Sequence, residues 1–134
     1  MPHPKEIRWK QRFNNLKLSF FRLEEGVAIG NPSPIEIQGI IKGFELTFEL
    51  CWKTLKDYLE SKEILMHFPR DVIKAAFQHE MLENGELWME MLEQRNFLAH
   101  AYDESKAREA QQNIKNRYFA AIKALIQRLE TEAT

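Results

Sequence analysis

The sequence predicts an all-α protein: an antiparallel four-helix up-and-down bundle with one additional short helix. Three observations lead there. Apolar residues recur at spacings of four and three along several long segments, which is the period of an amphipathic helix. No segment alternates apolar and polar residues over the length of a strand. Turn-forming residues, Gly30-Asn31-Pro32 and Asn84-Gly85 among them, fall between the periodic segments.

The first helix is predicted from about Lys5 to Ala28. Trp9, Phe13, Leu16, Phe20, Leu23 and Val27 form its apolar stripe, and Phe21 widens it. Gly26, Gly30, Asn31 and Pro32 end it. Ser33 then suits an N-cap and Pro34 a first helical position. That second helix should reach about Lys62 on a stripe of Ile37, Ile41, Phe44, Phe48, Cys51, Leu55 and Tyr58 or Leu59. Leu46, Leu50 and Trp52 lie outside the stripe, so more than one side of this helix is expected to be covered. Gly39 and Gly43 each cost roughly 1 kcal/mol of helix propensity against alanine; either they admit a close helix approach or they are simply tolerated. Glu45 and Glu49, also four apart, read either as an acid–base or metal pair or as partners of Lys42 and Lys53.

A connector from Ser61 to Pro69 leads to a short third helix. It is expected to start near Arg70-Asp71, bury Val72, Ile73, Ala76 and Phe77, and run to about Glu83, where Asn84-Gly85 stops it. The fourth helix carries Leu87, Trp88, Met91, Leu92, Arg95 and Leu98 and ends near His100. Asp103 caps the fifth, which runs to about Glu130 with Ile114, Tyr118, Ala121, Ile122, Leu125 and Leu129 facing inward.

At 134 residues, 44% of them hydrophobic, the chain fits one domain, 1–134, with a real core. A net charge of −1 provides no global field for nucleic acid, so any RNA contact must be local. The lone cysteine, Cys51, excludes an internal disulfide and sits in an apolar pattern, which makes it core rather than nucleophile. No run approaches membrane-spanning length, and no apolar segment of signal-peptide type follows Met1-Pro2-His3-Pro4-Lys5. A soluble, cytoplasmic protein is expected. Glycine-rich phosphate loops, His-Glu-x-x-His and zinc-knuckle patterns are all missing, as is the Glu-x-x-His pattern of di-iron bundles. His67 and His79 read as surface residues. No metal or cofactor is expected.

The stretch from Glu93 to Asp103 is the anomaly. On a helical wheel Arg95 and Tyr102 fall in the middle of the stripe of Trp88, Met91, Leu98 and Ala99, with Asn96 and His100 on its flank. An unpaired buried charge is costly, so such an arginine is paired or faces a cleft. A guanidinium is a forked donor suited to a reacting phosphate. An imidazole, with an unperturbed pKa near ~6.5, is suited to moving protons. Arg95 and His100 are therefore the candidate catalytic pair, and Asn96 could orient either one. Ribonucleases can use the RNA's own 2′-hydroxyl as nucleophile, which leaves the protein to move protons and stabilise charge without a metal. One Arg–His set is meagre; a symmetric dimer doubles it. The same residues also have structural readings. Cations are favoured near a helix C-terminus, and Arg95 could pair with Glu45 or Glu49.

The run Arg95-Asn96-Phe97-Leu98-Ala99-His100-Ala101-Tyr102 resembles the R-x4-H-x-Y signature of HEPN-domain proteins, specifically the HepT-like branch. The run from Lys42 to Lys53 resembles that branch's second helix, and Pro69 to Phe77 the opening of its third, so the resemblance covers nearly the whole chain in order. The branch carries the labels nucleotidyltransferase substrate-binding protein and HepT-like ribonuclease toxin. The resemblance implies a homodimer whose two motifs line one cleft and cut RNA without metal. It further implies that Tyr102 is AMPylated by a cognate minimal nucleotidyltransferase, an antitoxin that silences the ribonuclease. Added AMP would bring negative charge and bulk to a cleft that must accept phosphate. Two other functions fit the same fold: a non-catalytic nucleotide- or substrate-binding subunit of a nucleotidyltransferase, and a purely structural bundle.

Overall fold

The computed structural model describes residues 3–98 and 103–134. Among them every regular element is helical: α1 (Pro4–Val27), α2 (Pro34–Ser61), α3 (Pro69–Gln78), α4 (Gly85–Leu98), α5 (Glu104–Asn113) and α6 (Phe119–Ala133). A π-helical turn, Ile114–Tyr118, joins α5 and α6 into one continuous rod. The expected antiparallel bundle of four long rods with short α3 is therefore present.

The chain starts its helices where local chemistry allows. His3 Nδ1 accepts the Lys5 N–H at 3.1 Å ahead of α1. Ser33 and Glu36 cap α2 reciprocally: the Glu36 N–H donates to Ser33 Oγ at 3.2 Å and the Ser33 N–H to Glu36 Oε1 at 2.8 Å. Asp103 Oδ1 accepts the Lys106 N–H at 2.9 Å, the cap expected for α5. That bond holds the Asp103 carboxyl below the usual carboxylate range.

Helices α1 and α2 lie antiparallel along most of their length. Gly26 faces Ile40, Ser19 hydrogen-bonds Thr47 at 2.6 Å, Arg12 pairs with Asp57 at 3.2 Å and Arg8 with Glu60 at 3.3 Å. Thr47 donates to the Gly43 carbonyl at 2.7 Å, so in the Ser19–Thr47 bond Ser19 is the donor. The core is filled by the expected stripes, with Trp9, Phe13, Phe44, Phe48, Trp88 and Tyr118 all buried. Each such side chain contributes roughly 1.5–3 kcal/mol by leaving water. Four of these rings form a file across the bundle. Tyr118 stacks on Phe44 at 5.4 Å between centroids, Phe44 meets Phe48 at 6.0 Å, and Phe48 stacks on Trp88 at 5.9 Å.

Several expectations change. Helix α3 ends at Gln78 rather than near Glu83, with Glu80 in the left-handed region at φ 61° and the Met81 N–H returning to the Ala76 carbonyl. No breaker residue marks that point; leaving the helix early lets Met81 and Leu82 turn into the core. Asn84-Gly85 opens α4 instead of closing α3, since Asn84 Oδ1 accepts the Leu87 N–H at 3.1 Å. Phe77 is 44% exposed, its ring lying flat over Gly85, and Ala75 is buried in its place. Phe21 is exposed, because its neighbour Phe20 takes the contact with α6 by stacking on Phe119 at 4.8 Å. On α2, Trp52 and Leu50 are covered as expected but Leu46 is exposed. The last rod is not uniformly α-helical. The expected end of α4 near His100 falls outside the described residues.

The π turn sets a second tie between elements. It brings Arg117 and Tyr118 to Glu90 of α4: Arg117 donates two hydrogen bonds to the carboxylate, at 2.6 and 2.8 Å, and the Tyr118 hydroxyl a third at 2.6 Å. The Arg117 bonds, followed by that of Tyr118, hold the Glu90 carboxyl below its ordinary range. Burial and the bond to Glu90 push the Tyr118 hydroxyl well up. A depressed folded-state pKa stabilises above the unfolded value and is lost as pH falls through the folded one. Wild type should therefore lose more stability than Glu90→Gln between pH 7 and acid below about pH 4. Urea midpoints at both ends of that range would check this; equal losses would contradict it.

The glycines separate as well. An added Cβ at Gly26 would lie 3.0 Å from Ile40 Cγ1, whereas at Gly39 it meets nothing within 4 Å and at Gly43 only Leu23 at 3.7 Å. Close approach belongs to Gly26, and Gly39 and Gly43 are tolerated. Gly39→Ala should raise stability by about 0.5–1 kcal/mol in urea unfolding, while Gly26→Ala should gain less because Ile40 must move.

Candidate functional site

Arg95 stands in the last described turn of α4, which runs antiparallel to α2: Leu98 lines one shallow pocket with Ile41 and Glu45, and Arg95 meets Glu49. The aromatic file places it there. Trp88, two turns earlier on α4, stacks on Phe48, and the guanidinium carbon of Arg95 lies 6.0 Å from the same Phe48 ring. Arg95 is thus at the edge of the core, its side chain 25% exposed.

The charge is compensated by Glu49. Arg95 Nη1 donates to Glu49 Oε2, and Lys53 Nζ lies 3.4 Å from Glu49 Oε1, so one carboxylate holds a cation on each oxygen. Arg95 Nε–H donates to Asn96 Oδ1 at 3.2 Å. Two of the sequence readings of Glu49, a partner for lysine and a partner for Arg95, both hold. Glu45, one turn earlier, makes no salt bridge with a described residue; it lines a shallow pocket of about 240 Å³ with Gln38, Ile41, Lys42 and Leu98 beside the Arg95 turn.

Of the sequence-predicted site residues, Arg95 and Asn96 are brought together. His100 and Tyr102 lie outside the described residues. In the sequence, residues 99–102 stand between Leu98, the last residue of α4, and Asp103, the cap of α5. Cys51 is fully buried and burial pushes its thiol up, as suits a core residue. His67 and His79 are on the surface. Lys53 enters the sequence reading only as a partner of the glutamates, although its place four residues after Glu49 is visible there. Glu90 and Arg117, which fix α4 against the last rod, carry no usable sequence signal: they are 27 residues apart and sit on different elements.

The arrangement presents a forked guanidinium and an ammonium, both part-exposed, on a rigid two-helix floor. That is equipment for holding phosphate oxygens. The other flank of α4 differs. A cleft of about 640 Å³ between α3 and α4 is lined by Ile73, Phe77 and Met89 together with Lys74, Glu86, Glu90 and Glu93.

Residues 11–131 match the family described as nucleotidyltransferase substrate binding protein like. A curated relative, the probable ribonuclease HepT of Haemophilus influenzae, is 27% identical, over 73% of this chain and 78% of its own. Among solved structures, a Thermus thermophilus protein has a TM-score of 0.79 at 30% identity, covering 85% of this chain and 98% of that one. A Haemophilus influenzae structure, described as revealing the fold of a substrate binding domain of a nucleotidyltransferase, has a TM-score of 0.74 at 24% identity, covering 88% of this chain and 98% of that one, and shares the fold. With the family match spanning all but the two ends of the chain, the protein belongs to the HepT-like, nucleotidyltransferase substrate-binding family.

Proposed function

We propose that this chain is a metal-independent ribonuclease toxin of a two-gene toxin–antitoxin module, neutralised by a cognate minimal nucleotidyltransferase that AMPylates Tyr102. The observation that carries the reading is the Arg95 guanidinium, held part-exposed by Glu49 at the end of α4, five residues before His100 in the chain. The likeness to a probable ribonuclease HepT supports it.

In this reading two copies pair so that both Arg95/His100 sets face one cleft. The 2′-hydroxyl oxygen attacks the adjacent phosphorus and the P–O5′ bond breaks, giving a 2′,3′-cyclic phosphate. One His100 takes the 2′-hydroxyl proton and its counterpart gives a proton to the leaving 5′ oxygen. Arg95 stabilises the charge that builds on the non-bridging oxygens, and Asn96 orients Arg95 through its Nε–H. AMP on Tyr102 places a further phosphate and its bulk where the RNA phosphate must enter.

A second reading has a specific observation behind it. The family's description names substrate binding for a nucleotidyltransferase, so the chain would be a non-catalytic nucleotide- or substrate-binding subunit, with Arg95 as a phosphate clamp.

Incubation of purified protein with total RNA in EDTA separates the two. Wild type should cut, and His100→Ala should lose about 10²–10⁴-fold in rate with its helical signal intact. Treatment of wild type with the neighbouring nucleotidyltransferase and ATP should abolish cutting and add AMP mass at Tyr102. Intact RNA after incubation with folded, unmodified wild type would overturn the ribonuclease reading in favour of the binding subunit.

A further inference from the structure

We propose that Lys53, followed by Lys56 along the same face of α2, binds the RNA phosphates next to the one at Arg95, so that the substrate strand runs along α2. The inference rests on the ribonuclease reading for its ligand class and on the following geometry for its path.

Arg95 and Lys53 share a single carboxylate, Glu49, which leaves this cluster with one surplus positive charge. Lys53 is 41% exposed and Lys56, three residues on, makes no salt bridge with a described residue. Glu49 keeps the ammonium of Lys53 beside the guanidinium rather than free in solvent, so little side-chain freedom remains to be lost when a phosphate arrives. Lys53 sits one turn beyond Glu49 along α2, and Lys56 follows it on the same face. A strand whose reacting phosphate sits at Arg95 therefore meets Lys53 with an adjacent phosphate.

Charge decides the direction. On the opposite flank of α4 the cleft is lined by Glu86, Glu90 and Glu93, and beyond it Glu109 lines a further pocket with Glu90 and Glu93. Lys74, Lys106, Arg117, which is bound to Glu90, and Arg70, which is bonded to Met89 of the same cleft, balance them. That flank offers an RNA backbone no surplus cation, whereas the Arg95–Glu49–Lys53 cluster keeps one. The pairing of Lys53 with Glu49 also has a purely local explanation, since glutamate four residues before lysine supports a helix. The two explanations differ in one measurable quantity, the salt dependence of RNA binding.

The test uses a single-stranded 2′-O-methyl RNA oligonucleotide, which binds but lacks the attacking hydroxyl. Its affinity for full-length wild type, Lys53→Ala, Lys53→Arg and Lys56→Ala would be measured by fluorescence anisotropy across a salt series. Each lost phosphate contact should lower the slope of log K against log salt by about 0.7. Lys53→Ala and Lys56→Ala should each show that drop with several-fold weaker binding at low salt. Lys53→Arg should restore the slope, and Lys123→Ala, on exposed α6 surface, should leave it unchanged. An unchanged slope in Lys53→Ala, with unmodified RNA still cut by wild type, overturns the strand path and leaves the ribonuclease reading intact. Lys53-dependent binding without cutting of unmodified RNA supports the strand path and removes the ribonuclease reading. No binding by wild type overturns the strand path, and the ribonuclease reading falls with it only if unmodified RNA also stays intact.

Discussion

Phe48 belongs at once to the core and to the site. One contact is with Trp88 of α4, another with Phe44 on its own helix, and above it lies the guanidinium of Arg95. Through Phe44 the same contact reaches Tyr118 of the π turn. Three rods therefore depend on one file of rings for their relative placement. Interiors pack too densely for such rings to shift independently, so the height and azimuth of Arg95 are inherited from the core. A charged group that must meet a substrate is best held in this way, by a scaffold that does not reorganise when the substrate arrives.

Glu49 stands between stability and function. As a part-exposed ion pair it contributes little to folding, of order 0–1 kcal/mol. Its larger effect is spatial: it keeps two cations of different shape together at the mouth of the α2/α4 seam. The two flanks of α4 then differ, with one carboxylate shared by two cations toward α2 and a balanced mix of glutamates and basic residues toward α3. This local surplus arises in a protein with a net charge of only −1, and it shows why the overall balance said so little about a partner.

The fold was legible because the stripes of α1 and α2 keep alternating steps of four and three that only a helix satisfies, and because Ser33, Pro34 and Asp103 mark starts by local hydrogen bonding. Phe21, Phe77 and the end of α3 were not legible for a common reason. Each depends on which neighbour wins a contact, Phe20 over Phe21 against Phe119, and Met81 with Leu82 over a longer helix. At the site, Arg95 betrayed itself as a charge on an apolar face, but its choice of Glu49 over Glu45 is a matter of helix register between two elements. The π turn did leave a trace. In the last rod Gln111, Ile114, Tyr118, Ile122, Leu125 and Leu129 are buried, and two consecutive steps of four, from Ile114 to Tyr118 to Ile122, break the alternation.

That extra step has a consequence for how the chain tolerates change. The rod before Ile114 and the rod after Tyr118 each keep their own phase, and the wide turn between them absorbs the mismatch. Removing a single residue there would leave the core residues on both sides unchanged, yet rotate one half against the other by about 100°. Tyr118 and Ile122 could then not both face inward with Ile114. Over this turn the number of residues is constrained more tightly than their identity, and an alignment of variants should show substitutions there long before it shows a gap.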